Sequence, residues 1–127
     1  SYNANPSSVK NAINNLSSIK RNHKKKFLLL GDMLELGTES DNYHRNLARF
    51  INRSDIDKLF VYGENAFKVY QKTYKSKQGN ILQNLNDFDE IFSNIINNND
   101  YLMIKGSNAT GLNRLSKIII SGNKHAL

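Results

Sequence analysis

KKKFLLLGD, residues 24–32, decides the fold. A short apolar run closed by glycine is the pattern of a strand buried on both faces, since a strand with one wet face would alternate apolar with polar residues. The pattern returns twice, as DKLFVYG at residues 57–63 and as YLMIKGS at residues 101–107. Helical periodicity fills the intervals. Ahead of the first run, Val9, Ala12, Ile13, Leu16 and Ile19 share one helical face, with Pro6 and Ser7 suited to the entry. Between the first two runs, Tyr43, Leu47, Phe50 and Ile51 recur at helical spacing within residues 38–52. A third helix is predicted from Glu64 to about Tyr74, then a weak strand at residues 80–83. A fourth helix carries Phe88, Ile91, Phe92, Ile95 and Ile96 on one face, with Asn86 as N-cap and the NNND run as its end. Leu112, Leu115, Ile118 and Ile119 make a closing helix. Strands alternating with helices along the whole chain call for an α/β fold. The expectation is a Rossmann-like three-layer sandwich, with a mostly parallel sheet and helices on both faces.

A length of 127 residues suits a single domain spanning the whole chain. The opening SYNANP reads as a motif rather than a frayed start, so the chain is expected to be part of something longer. No cysteine is present, which removes disulfides, thiolate metal ligands and cysteine nucleophiles together. No window approaches the roughly 20 apolar residues of a membrane span, and FLLLG after Lys24–Lys26 has no small-residue cleavage site, so a cytoplasmic location is the expectation. The net charge of +7 raises nucleic-acid binding, but the basic residues are scattered and the asparagine excess (NAINN, INNNND) fits the bias of an AT-rich genome. No nucleic-acid partner is expected. The Lys and Asn runs read as solvated turns.

In an open parallel sheet ligands bind beyond the carboxyl ends of the strands. The residues placed there are Gly31, Asp32 and Met33, then Gly63 and Glu64, then Lys105, Gly106, Ser107 and Asn108. For Gly63 and Glu64 the plain reading is a tight turn that requires glycine. KGSNATG spaces Gly106 and Gly111 as a phosphate-binding P-loop does, but Leu112 and Asn113 stand where that loop needs Lys and Ser or Thr. What survives is a glycine-containing loop opening a helix, whose free N–H groups favour an anion such as a carboxylate, with Lys105 adding a full charge. Asp32 and Glu35 are too loosely spaced to define an acid–base pair. His44 is expected to be packed and hydrogen-bonded, His23 and His125 exposed. No His, Asp and Glu trio has metal-ligand spacing, so no metal site is expected.

Three segments in register resemble a known family: SYNANPSSVKNAINNL (residues 1–16), FLLLGDMLELG (residues 27–37) with His44 downstream, and KGSNATGLNRL (residues 105–115). They are similar to the C-terminal domain of the Mur ligases, in the branch that attaches D-alanyl-D-alanine to UDP-MurNAc-tripeptide during peptidoglycan precursor synthesis. The resemblance implies a three-domain ATP-dependent amide ligase working through an acyl phosphate. This chain would be the closing domain, inactive alone, while the missing N-terminal domain holds the UDP-sugar and the missing central domain holds most of the ATP and Mg²⁺. It further implies that Tyr2, Asn3 and Asn5 line the nucleotide and substrate cleft, and that Asp32, Lys105 and Ser107 face D-Ala-D-Ala. Met33, His44 and Asn108 are secondary candidates, and no catalytic residue is implied in this domain. Asn108 stands where many relatives carry arginine, and the family's aspartate belongs just before Ser1. The alternatives are a sister Mur or folylpolyglutamate-type ligase, against which YNANP and GDMLELG speak, and a basic binding module without enzymatic activity. The plain alternatives for Lys105 are a surface lysine or a partner of Asp32.

Overall fold

The computed structural model describes residues 6–32, 40–106 and 125–126. Helix α1 (Pro6–Ser18) leads into strand β1 (Lys26–Gly31), then α2 (Ser40–Arg53), β2 (Lys58–Tyr62), α3 (Glu64–Gln71), a 3₁₀ turn at Lys75–Lys77, β3 (Gln78–Leu82), α4 (Asp87–Asn94), β4 (Tyr101–Lys105) and a two-residue β5 (His125–Ala126). The strands form one sheet in the order β3-β2-β1-β4-β5, every adjacent pair parallel. The expected α/β class and parallel sheet are observed.

Strand direction decides which face each helix covers. From β1 to β2 to β3 the chain steps one way across the sheet, and from β3 back to β4 it steps the other way. Right-handed crossovers therefore put α2 and α3 on one face and α4 on the opposite one. Packing agrees: Leu28, Leu30, Leu59, Val61 and Met103 meet α1, α2 and α3, whereas Phe27, Leu29, Phe60, Leu102 and Ile104 meet Phe88 and Ile91 of α4. Successive residues of a strand thus enter different cores, which is why β1 is buried at all six positions and shows no alternation in sequence. Each fully buried Leu, Ile or Phe contributes about 1.5–3 kcal/mol.

Several expectations are corrected locally. Helix α3 ends at Gln71 rather than near Tyr74, because the buried Thr73 hydroxyl donates to the carbonyls of Val69 and Tyr70 and closes the last turn. Strand β3 starts two residues earlier than expected. Asn86 makes no side-chain cap. Asp87 does the local work instead, its carboxylate accepting from the backbone N–H groups of Gln83 and Asn84. Ile95 and Ile96 lie past the end of α4, where Ile96 is still buried but Ile95 is exposed. The closing helix expected over residues 112–119 lies outside the described residues.

The largest correction is Lys26. Its place in a lysine run reads as solvated, yet it is the first residue of β1 and fully buried. Lys26 shares the sheet face of Leu28 and so reaches the end of α1. There its ammonium donates to the carbonyls of Ser17 and Ile19 and to the Asp55 carboxylate. The orphan carbonyls and negative dipole end of the helix receive a cation that closes them. Arg21 bonds Asp55 and Asp57 alongside, and the hydrogen bonds from Lys26 and Arg21 hold the Asp55 carboxyl below its ordinary range. Lys26→Met should destabilise the chain by about 1–3 kcal/mol in urea unfolding, because it leaves buried carbonyls unbonded. A loss under about 0.5 kcal/mol, the level of an ordinary surface substitution, would show that the contacts contribute nothing.

Candidate functional site

The sheet has one topological switch point, between β1 and β4. From β1 the chain departs towards β2, and β4 lies on the other side, so the carboxyl ends of β1 and β4 form the edge at which an open parallel sheet places its ligands. Leu30 pairs with Lys105, which sets Gly31 and Asp32 beside Lys105 and Gly106 at one edge. The strand ends singled out from sequence are therefore brought together. Tyr2, Asn3, Asn5, Met33, Ser107 and Asn108 lie outside the described residues.

Lys105 is only 8% exposed, so it is not a surface lysine. No ion pair joins it to Asp32, and among the described residues no carboxylate lies within salt-bridge distance of its ammonium. Its hydrogen bond runs to the hydroxyl of Ser8, at 3.4 Å. Both plain readings of Lys105 are thereby overturned. Burial pushes its pKa down. Alternation along β4 puts Lys105 on the face of Met103, against α1, and Ser8 lies in the first turn of that helix. Helix α1 thus runs antiparallel to the strands with a lysine at each end. Lys26 meets the negative end and is neutralised. Lys105 meets the positive end, where the first turn holds no acidic residue. A desolvated ammonium beside a helix N-terminus creates positive potential that favours an anion.

Asp32 has a structural duty that the sequence did not announce. Its Oδ1 accepts from the backbone N–H groups of Asn65 and Ala66, at 2.8 and 2.9 Å, and so caps α3 from another element. Gly63, the residue before α3, has φ +110°, and a Cβ there would collide with the Asp32 carboxylate. The tight-turn reading of Gly63 holds, with close approach as a second reason. Asp32, Glu64 and Gln83 line a cleft of about 720 Å³ together with Tyr62, Phe67, Ile81 and Leu82, over the carboxyl ends of β1, β2 and β3. That volume is in the range of small-molecule sites.

His44 is fully buried on α2, as expected, but neither ring nitrogen has a hydrogen-bond partner. The expected hydrogen bond is therefore corrected. Tyr43 packs at a ring separation of 6.0 Å, and desolvation, reinforced by Lys68 and Lys72, keeps the imidazole pKa down. His23 is exposed, while the side chain of His125 lies outside the description. Sequence reasoning missed Ser8, for which a 97-residue separation from Lys105 leaves no local pattern. The described residues contain no group of three His, Asp or Glu able to hold a metal, and no helix among them is long and apolar enough to cross a membrane. In the sequence, Leu112 and Asn113 stand where a phosphate-binding P-loop needs Lys and Ser or Thr, so KGSNATG does not fit the phosphate–Mg²⁺ role of that loop.

The family model "Mur ligase, glutamate ligase domain" matches residues 1–108. Among curated proteins, the UDP-N-acetylmuramoyl-tripeptide--D-alanyl-D-alanine ligase of Bacillus subtilis (strain 168) is 40% identical over 78 residues, which cover 56% of this chain and 17% of that protein. The ligase of the same name from Buchnera aphidicola is 29% identical over 125 residues, 97% of this chain and 26% of that protein. The chain thus spans about a quarter or less of the curated relatives it matches. Among solved structures, the MurF ligase of Thermotoga maritima in complex with ADP aligns with TM-score 0.77 at 22% identity, covering 95% of this chain and 27% of that one. A MurF crystal structure from Acinetobacter baumannii aligns with TM-score 0.72 at 24% identity, covering 95% and 26%. At these identities the structural likeness speaks for the fold.

Proposed function

The chain belongs to the Mur ligase family through its glutamate ligase domain, and from that premise we propose that it is the C-terminal closing domain of a three-domain, ATP-dependent ligase joining D-alanyl-D-alanine to UDP-MurNAc-tripeptide. In this reading the N-terminal and central domains of the same chain hold the UDP-sugar, ATP and Mg²⁺, and this domain presents the dipeptide. Residues 1–127 form one domain, inactive alone. Peptidoglycan precursor synthesis is the process served, in the cytoplasm.

One observation supports the site assignment above the rest: Lys105 is buried at the positive end of α1 with no counter-ion among the described residues. The dipeptide carboxylate is the anion proposed to complete it, with Ser107 supplying a hydroxyl donor. Asp32, beside Lys105 on the neighbouring strand end, has Oδ1 fixed by the cap of α3 and is proposed to orient the dipeptide amine through its other oxygen. Anchoring the carboxylate while the amine points at the activated tripeptide carbonyl supplies rate by positioning. Tyr2, Asn3 and Asn5, preceding α1, are proposed to meet the nucleotide and substrate. Met33, His44 and Asn108 remain secondary candidates.

The full-length protein, given ATP, Mg²⁺, UDP-MurNAc-tripeptide and D-Ala-D-Ala, should form the pentapeptide product with release of ADP and phosphate. Residues 1–127 alone should turn over no ATP. Acceptance of a single amino acid in place of the dipeptide would point to a sister ligase, and ATP turnover by the isolated chain would contradict the assignment of roles.

A further inference from the structure

Helix α1 meets the switch point through Ser8. Its hydroxyl lies 3.4 Å from Lys105 Nζ and accepts the hydrogen bond that ties the ammonium to the described structure. We propose that Ser8 is a positioning residue for the dipeptide-binding step, holding the Lys105 ammonium at the carboxyl end of β4 and favouring its charged form. The inference rests on the carboxylate reading given above and adds a residue to it.

The chemistry follows from what surrounds Lys105. Burial removes water from the ammonium, and no charged group among the described residues acts on it in either direction. Leu30 faces it from β1 and Ser8 from α1, neither of them titratable. The positive end of α1 adds nothing that favours a cation. An oxygen that accepts from the ammonium favours the protonated state, so the Ser8 hydroxyl opposes desolvation. It also restricts a flexible four-carbon stem, which leaves the remaining N–H donors pointed away from α1. Ser8 lies just after the segment 1–5, proposed to meet the nucleotide, so one helical turn links the two halves of the reaction.

The test uses the full-length ligase. Ser8→Ala should raise KM for D-Ala-D-Ala about three- to tenfold, the range given by one ordinary hydrogen bond, and leave KM for ATP unchanged. Losing the acceptor lowers the Lys105 pKa further, so the alkaline limb of kcat/KM for the dipeptide should move to lower pH. Ser8→Thr, which keeps the hydroxyl, should restore both. An unchanged dipeptide KM together with an unmoved alkaline limb overturns the proposal. So does a parallel rise in both KM values that Ser8→Thr does not relieve, since that marks a merely structural role. Lys105→Met, assayed alongside, separates the two readings: if it raises the dipeptide KM while Ser8→Ala does not, the Ser8 inference alone fails. If Lys105→Met changes nothing, the carboxylate reading fails. Ser8 is then judged by the ¹³Cε titration of Lys105, where a lowered pKa in Ser8→Ala supports the contact and an unshifted one refutes it.

Discussion

Replacing Lys105 by methionine in the full-length ligase should raise KM for D-alanyl-D-alanine about tenfold or more, corresponding to roughly 1.5–3 kcal/mol for a charge-assisted hydrogen bond, while KM for ATP changes little. Methionine keeps the length and most of the volume of the side chain, so packing against α1 survives. Stability separates this effect from a structural one. An ammonium on a residue 8% exposed, with no carboxylate partner among the described residues and at the positive end of a helix, costs free energy in the folded chain. Its removal should therefore leave the urea midpoint of residues 1–127 unchanged or raised. Binding lost while stability holds or rises is the mark of a residue kept for function. The opposite pattern, with KM for the dipeptide unchanged in both Lys105→Met and Ser107→Ala, would mean that this strand edge does not hold the carboxylate. Lys26→Met is the internal contrast. It removes a buried lysine at the other end of the same helix, where the dipole and three acceptors welcome the charge, and it should destabilise without touching KM.

The two lysines also show what the sequence could and could not reveal. Apolar runs such as FLLLG and the 3.6-residue rhythm of Val9, Ile13 and Leu16 are local patterns, and they located β1, β2, β4 and the described helices, whereas the two-residue β5 at His125–Ala126 carries no such pattern and was not expected. Placing Asp32 and Lys105 at the strand ends needed only the strand boundaries and the rule for parallel sheets. What stayed hidden was non-local. Whether Lys26 is wet depends on the end of α1 and on Asp55, 29 residues away. That Asp32 caps α3 depends on a helix starting 32 positions later, and no capping pattern spans such a gap. Ser8 beside Lys105 needs the complete strand order. His44 was legible as buried from its helical face, but the absence of a partner for either nitrogen is a property of packing alone.

The cap on α3 gives the second large effect. Gly63→Ala should destabilise residues 1–127 by about 2–4 kcal/mol in urea unfolding, through two separable causes. A φ of +110° is strained for any residue with a Cβ, and that Cβ would strike the Asp32 carboxylate, displacing the acceptor of the Asn65 and Ala66 N–H groups. Asp32→Ala alone should cost about 0.5–2 kcal/mol, the value of a lost N-cap. In the double variant the collision has nothing to strike and the cap is already gone, so Gly63→Ala should there cost only its backbone strain, about 1–3 kcal/mol. The two substitutions should consequently be less than additive by about 1 kcal/mol or more, the size expected of groups in direct contact. Strict additivity would show that Asp32 does not hold α3 through the space that Gly63 leaves open. The result bears on function as well. Asp32 stands at the end of β1, beside Lys105 and at the wall of the cleft, and a carboxylate with one oxygen fixed by two backbone donors presents the other in a single direction. If Gly63→Ala releases it, the dipeptide KM of the full-length ligase should rise with the loss of the cap, even though no atom of Gly63 is proposed to touch the substrate.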